Sequence, residues 1–174
     1  HGKDVFIPME MLLGGQERIG QGWRMLVECL AAGRGISLPA LSAGGIKLAA
    51  RTTGAYARVR KQFGVPIGKF QVLQHRMVDC FTNAQEARSM TLMASLKIDD
   101  KDAIVRHKAA SGAKVQIGKS GKFCGQSAVQ MHGGMGVTDE LSVSHYFKRL
   151  TMIDLMFGNQ QHHLTRYSNL AMAA

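Results

Sequence analysis

Acidic residues are scarce in this chain: 12 Asp and Glu face 22 Lys and Arg, which leaves a formal net charge of +10 with the histidines neutral. Such a surplus suits an anionic partner. The basic residues are dispersed, however, the densest groups being Arg58, Arg60 and Lys61 and the pair Lys148 and Arg149. Aromatics are also few, at 6% of the chain, and none alternates with Lys119 and Lys122, which share a face of the third helical stretch. A single-stranded nucleic-acid track interleaves rings with its cations, so no nucleic-acid partner is expected and a phosphorylated cofactor or substrate fits the charge better. Cysteine is scarce as well. Cys29, Cys80 and Cys124 are odd in number, lack CxxC or metal-type spacing and fall in helical patterns, so buried reduced thiols and a cytoplasmic setting are expected. The sequence has no uninterrupted run of about 18 apolar residues and no charged-then-apolar leader, so neither a membrane span nor a secretory signal is expected.

What is present is helical periodicity. A length of 174 residues suits one domain with a real core. Residues 1–20 read as a lead-in, with a strand-like Val5-Phe6-Ile7 ended by Pro8 and a turn at Gly14-Gly15, and they look like the tail of a preceding β-domain. Residues 21–174 read as the helical domain. Its first helix, about 22–60, carries Leu38, Leu41, Gly45, Leu48, Thr52, Ala55 and Val59 on its apolar or small face, starts with Trp23 as a packing anchor, and is weakened near Gly33, Gly35 and Pro39, where a bend is expected. After the connector Gln62-Phe-Gly-Val-Pro-Ile-Gly68, a second helix over about 70–97 lines up Leu73, Met77, Cys80, Ala84, Ala87, Thr91 and Ala94. A third spans about 102–131, a fourth about 138–156 and, after Gly158, a last one reaches about 172. Helices near thirty residues long with short connectors predict an all-α, antiparallel up-and-down four-helix bundle, its last helix broken at Gly158.

One stretch interrupts the longest helical pattern with three glycines in four positions: Gln130-Met-His-Gly-Gly-Met-Gly136. Before it, Ala113, Ile117, Gly121, Cys124, Ala128 and Met131 recur at steps of three and four on one helix face. After it, Thr138 can cap a new helix with Asp139 and Glu140 in its first turn. Glycines between two helices allow positive φ and close approach of a ligand to backbone N–H groups, although such a cluster taken alone is also an ordinary interhelix turn. His132, His145 and the pair His162 and His163 have no carboxylate or cysteine at ligand spacing, so no metal is expected.

Arg60-Lys-Gln-Phe-Gly64 ahead of Phe70-Gln71, followed some sixty residues later by the glycine-rich stretch, resembles the acyl-CoA dehydrogenase family. The resemblance runs from about residue 5 to residue 170 and corresponds to the family's C-terminal helical domain, the N-terminal helical domain and nearly all of the β-domain being absent. Residues 1–74, with Gly20-Gln-Gly-Trp-Arg-Met-Leu-Val-Glu-Cys-Leu30 and Gly33-Arg-Gly35, look closest to large bacterial fatty-acid β-oxidation enzymes. Residues 75–174, with His75-Arg-Met-Val-Asp79, Gly136-Val-Thr-Asp-Glu-Leu141 and His145-Tyr-Phe-Lys-Arg149, look like the small subunit of pimeloyl-CoA dehydrogenase, as in a chain joined from two lineages.

The resemblance implies α,β-dehydrogenation of an acyl-CoA thioester with FAD, and further partners: a homodimer or homotetramer and an electron-transfer flavoprotein. It assigns FAD contacts to Arg60, Gln62, Phe63 and Gly64, with Arg60 facing the pyrophosphate. Gln130, Gly133, Gly134 and Gly136 line the adenosine and pyrophosphate end from the neighbouring subunit, Gly158 and Gln161 match the segment touching the flavin, and Arg34 matches a substrate-binding arginine. The family's usual catalytic glutamate falls on Phe157, and the alternative seat on the first helix falls on Gly33. Phenylalanine cannot take a proton. Glu28 lies about 140° around the helix from Gly33, and Asp154, about one turn before Phe157, is the remaining candidate base, otherwise an ordinary solvated carboxylate.

Overall fold

The computed structural model describes residues 2–172, and for residues 31–34 the backbone alone. Five helices carry the fold: α1 Gly22–Val59, α2 Gln71–Lys97, α3 Ala103–His132, α4 Ser142–Leu155 and α5 Gln160–Met172. Helices α1, α2 and α3 form three arms of the expected bundle, and α4 with α5 makes the fourth, interrupted at Phe157 and Gly158, both with positive φ. Helix α3 is the centre: it packs on α1, α2, α4 and α5. Its predicted stripe, Ala113, Ile117, Gly121, Cys124, Ala128 and Met131, is buried throughout. The core joins Leu38 and Ile46 of α1 to Cys80 and Ala87 of α2, Ile117 and Cys124 of α3, and Leu150 and Ile153 of α4. Small residues bring the backbones together, since a Cβ at Gly45 or Gly121 would sit 3.4 Å from the Leu150 side chain.

The buried face of α1 is rotated from the one expected. Ser42, Ile46, Ala49, Thr53 and Ala57 point inward, while Leu41, Leu48 and Val59 are exposed. Inward Thr53 costs little because its hydroxyl donates to the Ala49 carbonyl at 2.7 Å. Leu41 and Leu48 instead line a surface groove with Tyr146 and Arg149 of α4. Pro39 lies inside α1 without ending it. Trp23 is 76% exposed and anchors no core, and Cys29 is exposed rather than buried. By length and composition α1 passes the test for a membrane-crossing helix despite its interrupted apolar runs, as the core helix of a bundle also does.

Among the described residues, the strand-like Val5-Phe6-Ile7 pairs with no other strand. The lead-in forms two short 3-10 turns, Met9–Met11 and Gln16–Arg18. The only described sheet is a hairpin, β1 Lys61–Gln62 against β2 Val65–Pro66, where the sequence suggests a connector. Helix α4 starts at Ser142, not Thr138. Gly133–Val137 continues as a 3-10 turn, the Thr138 hydroxyl donates back to the Met135 carbonyl at 2.9 Å, and Asp139 pairs with Lys148 at 2.8 Å instead of facing a helix dipole.

Candidate functional site

Two neighbourhoods hold the candidate residues. The first is the end of the bundle where α1 leaves through the hairpin and α3 runs into the glycine-rich turn. Phe63 and Gly64 form the hairpin's two-residue loop with φ of 54° and 81°. Positive φ at both central positions is the mark of a type I′ turn, whose twist matches the flanking strands. The turn holds Phe63 outward, 91% exposed, its ring near perpendicular to that of Phe70 at 6.1 Å between centroids. Arg60, Gln62 and Gly64 are exposed beside it.

The glycine-rich turn lies at the same end. Tyr56, one turn before Arg60, stacks on His132 with centroids 4.3 Å apart, and the His132 Nδ1 sits 2.8 Å from the Ala128 carbonyl. Ala57 and Ile67 pack with Met131 beneath. Gln130, Gly133 and Gly134 are exposed. Gly133 has φ 62° and ψ −143°, a region open essentially to glycine alone. A Cβ at Gly133 or Gly134 would meet nothing within 4 Å, so the turn offers bare backbone to whatever lies against it. Gly136 differs: it is buried, and a Cβ there would overlap the Val129 carbonyl, so its glycine serves local packing.

The second neighbourhood is the break between α4 and α5. Lys114 of α3 is 3% exposed and its ammonium donates to the carbonyls of Ile153, Asp154 and Gly158 at 2.7, 2.9 and 2.9 Å. It thus closes the C-terminus of α4, where a cation also meets the negative end of the helix dipole. Burial pushes its pKa down from the usual lysine value, and nearby Asp154 partly opposes that. Asp154 is no solvated carboxylate. Its Oδ1 is buried without a hydrogen-bond partner and its Oδ2 accepts from Gln160 at 3.4 Å. The carboxylate lies where a Cβ on Gly118 would be. His163 is buried, its Nε2 3.1 Å from the Phe157 carbonyl, and desolvation lowers its pKa to about 4, with further lowering by Lys114, His162 and Arg166.

Phe157 is 48% exposed and has φ 59°, while Gly158 has φ 100° and Gln161 is exposed. The Gly33 position lies within α1, and the side chain of Arg34 is outside the described residues. Glu28 pairs with Arg106 at 3.8 Å. No motif points to Lys114, and the sequence offers His163 only as one of four histidines without metal-ligand spacing. A signal for Lys114 exists, since it falls among Ala113, Ile117, Gly118 and Gly121 on the apolar face of α3. His163 carries no such mark, because its burial depends on a break whose geometry is not periodic.

The family model for the acyl-CoA dehydrogenase C-terminal domain matches residues 20–169. The chain belongs to the acyl-CoA dehydrogenase family. It is 31% identical over 159 residues to the probable acyl-CoA dehydrogenase YngJ of Bacillus subtilis, covering 91% of this chain and 40% of that protein. It is 26% identical over 159 residues to the human mitochondrial short-chain specific acyl-CoA dehydrogenase, covering 91% of this chain and 37% of that protein. Among solved structures, butyryl-CoA dehydrogenase from Megasphaera elsdenii superposes with a TM-score of 0.82 over 98% of this chain and 43% of that one, at 22% identity, which speaks for the fold. The chain thus spans about two fifths of the family members it matches.

Proposed function

We propose that this chain is the FAD-binding and oligomerising C-terminal domain of an acyl-CoA dehydrogenase, and that it is inactive by itself. The observation that carries the reading is the shared end of the bundle, which offers both exposed Arg60 and Phe63 and the bare backbone of Gly133 and Gly134, so that two copies can each complete the other's site. A planar guanidinium, a projecting ring and unhindered N–H groups are the donor set a dinucleotide asks for. When bound, FAD supplies the hydride-accepting chemistry. This chain's residues hold and orient it: Arg60 at the pyrophosphate, Phe63 by stacking, and Gln130, Gly133 and Gly134 from a second copy. Such a shared site makes a homodimer or homotetramer the working form, with acyl-CoA and an electron-transfer flavoprotein as further partners and the cytoplasm as its setting.

Catalytic deprotonation has no base here. Phe157 offers no proton acceptor, and Asp154 points into the protein against Gly118 and Gln160. A general base is worth roughly 10²- to 10⁴-fold, and placement of thioester against flavin needs the parts of the family members that this chain does not span. The second reading, a non-catalytic bundle active only in self-association, draws on the same loss at Phe157. Gel filtration with added FAD separates them. Flavin absorbance should co-elute with a dimeric or larger species and disappear in Arg60→Ala at unchanged helicity, with no bleaching by acyl-CoA. Colourless oligomers would leave only self-association, and bleaching would show that a base had been missed.

A further inference from the structure

A cavity of about 140 Å³ lies between Gly35 of α1, Phe157 and helices α3 and α5, which line it with His107, Ala110, Lys114, His162, His163 and Arg166. No carboxylate lines it among the described residues. Lys114 spends its donors on three carbonyls, but its charge stays beside the cavity. Asp154 weighs on that charge from its packed place against Gly118 and does not line the wall. Arg166 has a single hydrogen-bond contact among the described residues, 3.2 Å from the His107 Nδ1. Four of its five guanidinium donors are therefore left over. Two fixed cations and three imidazoles, those of His107, His162 and His163, thus surround a space equal to roughly four or five water volumes.

We propose that this cavity is a binding site for a small oxyanion, with Arg166 as its main ligand and Lys114 supplying field. The shared chemistry is a compact group of negatively charged oxygens, either a free inorganic anion or the carboxylate end of a larger molecule. A concave, partly enclosed site strengthens such attraction relative to open water. The site is separate from the hairpin end and does not rest on the flavin reading.

The histidines give the site its pH dependence. His107 is held below the usual imidazole range by burial first, then by Arg166 and Arg106, against an opposing contribution from Glu28 of α1. His163 faces the Ser111 hydroxyl and Lys114 of α3, the Phe157 carbonyl, and His162 and Arg166 on its own helix. Both imidazoles are therefore neutral near pH 7 without an anion. A bound anion favours their protonated forms, so their pKa values rise on binding and affinity increases as pH falls.

The test is ¹⁵N-histidine NMR of the full chain, titrated at constant ionic strength with sulfate in one arm and acetate in the other. Sulfate keeps its charge over the range, so tightening from pH 8 to pH 6 reports the protein. Saturable shifts at His107 and His163, but not at exposed His75 and His145, are expected in at least one arm. The tighter arm names the source, inorganic anion or carboxylate. Arg166→Gln should weaken binding about tenfold or more, as losing a charge-assisted donor does. Ala110→Leu fills the cavity and keeps both cations, so it should abolish the shifts even if the arginine variant fails to fold. Linear shifts in both arms, equal response at His75 and His145, or unchanged midpoints in both variants would overturn the proposal.

Discussion

Lys114 holds the break after α4 together, because three carbonyls there depend on one ammonium. Lys114→Met keeps the stem and removes the donors, leaving those carbonyls unpaired in a largely buried place. The expected loss is roughly 2–4 kcal/mol, read as a lower urea midpoint, whereas a change near zero would mean that water replaces the ammonium without cost. His163 sets a pH dependence of its own. Its folded pKa of about 4 lies below the ordinary 6.5, so the unfolded chain binds more protons in between. Stability is therefore complete above about pH 6.5 and falls as pH drops toward 4, by roughly 3 kcal/mol. Chemical denaturation across that window should show the slope, and His163→Gln should flatten it. Only part of this was legible in advance. A lysine inside an apolar stripe signals a buried cation, but the partners of Lys114 come from residues about forty positions away.

Among the elements, the glycine-rich turn shows how far sequence reading reaches. The stripe on α3 and the break after it follow from side-chain periodicity, which the burial of Ala113 through Met131 matches. The start of α4 did not follow, because Thr138 has the right chemistry for a cap yet donates to Met135 inside a 3-10 turn that periodicity does not register. The glycines also have unlike duties that a motif treats alike. Gly136→Ala should destabilise by about 1–3 kcal/mol or more through its overlap with the Val129 carbonyl. Gly134→Ala, in open space with no positive φ, should leave the thermal midpoint unchanged while altering FAD retention. Melting curves for the two variants in parallel check this, and equal losses would refute the division. The hairpin at β1 and β2 escaped notice because its turn has Phe63 in a conformation usually read from asparagine or glycine.

At the scale of the whole molecule, bundle topology was readable because connectors between long helices are short and each apolar stripe has one partner face. The rotation of α1 was not, since Ser42 and Thr53 look polar in sequence and sit inside. The same helix has a further consequence. With 38 residues α1 extends some 57 Å, while α2, with 27, extends some 40 Å. Its residues 22–30 are exposed or half-exposed, whereas Ser42, Ile46, Ala49, Thr53 and Ala57 are enclosed. One continuous rod therefore spans two regimes of backbone protection. Amide deuteration followed by mass spectrometry should show peptides from 22–30 exchanging by local fraying in seconds, and those from 42–57 only when the bundle opens. Uniform protection along the rod in a concentrated sample, lost on dilution, would instead show a second copy clasping the overhang, and the helix would then act as a concentration gauge written in proton exchange.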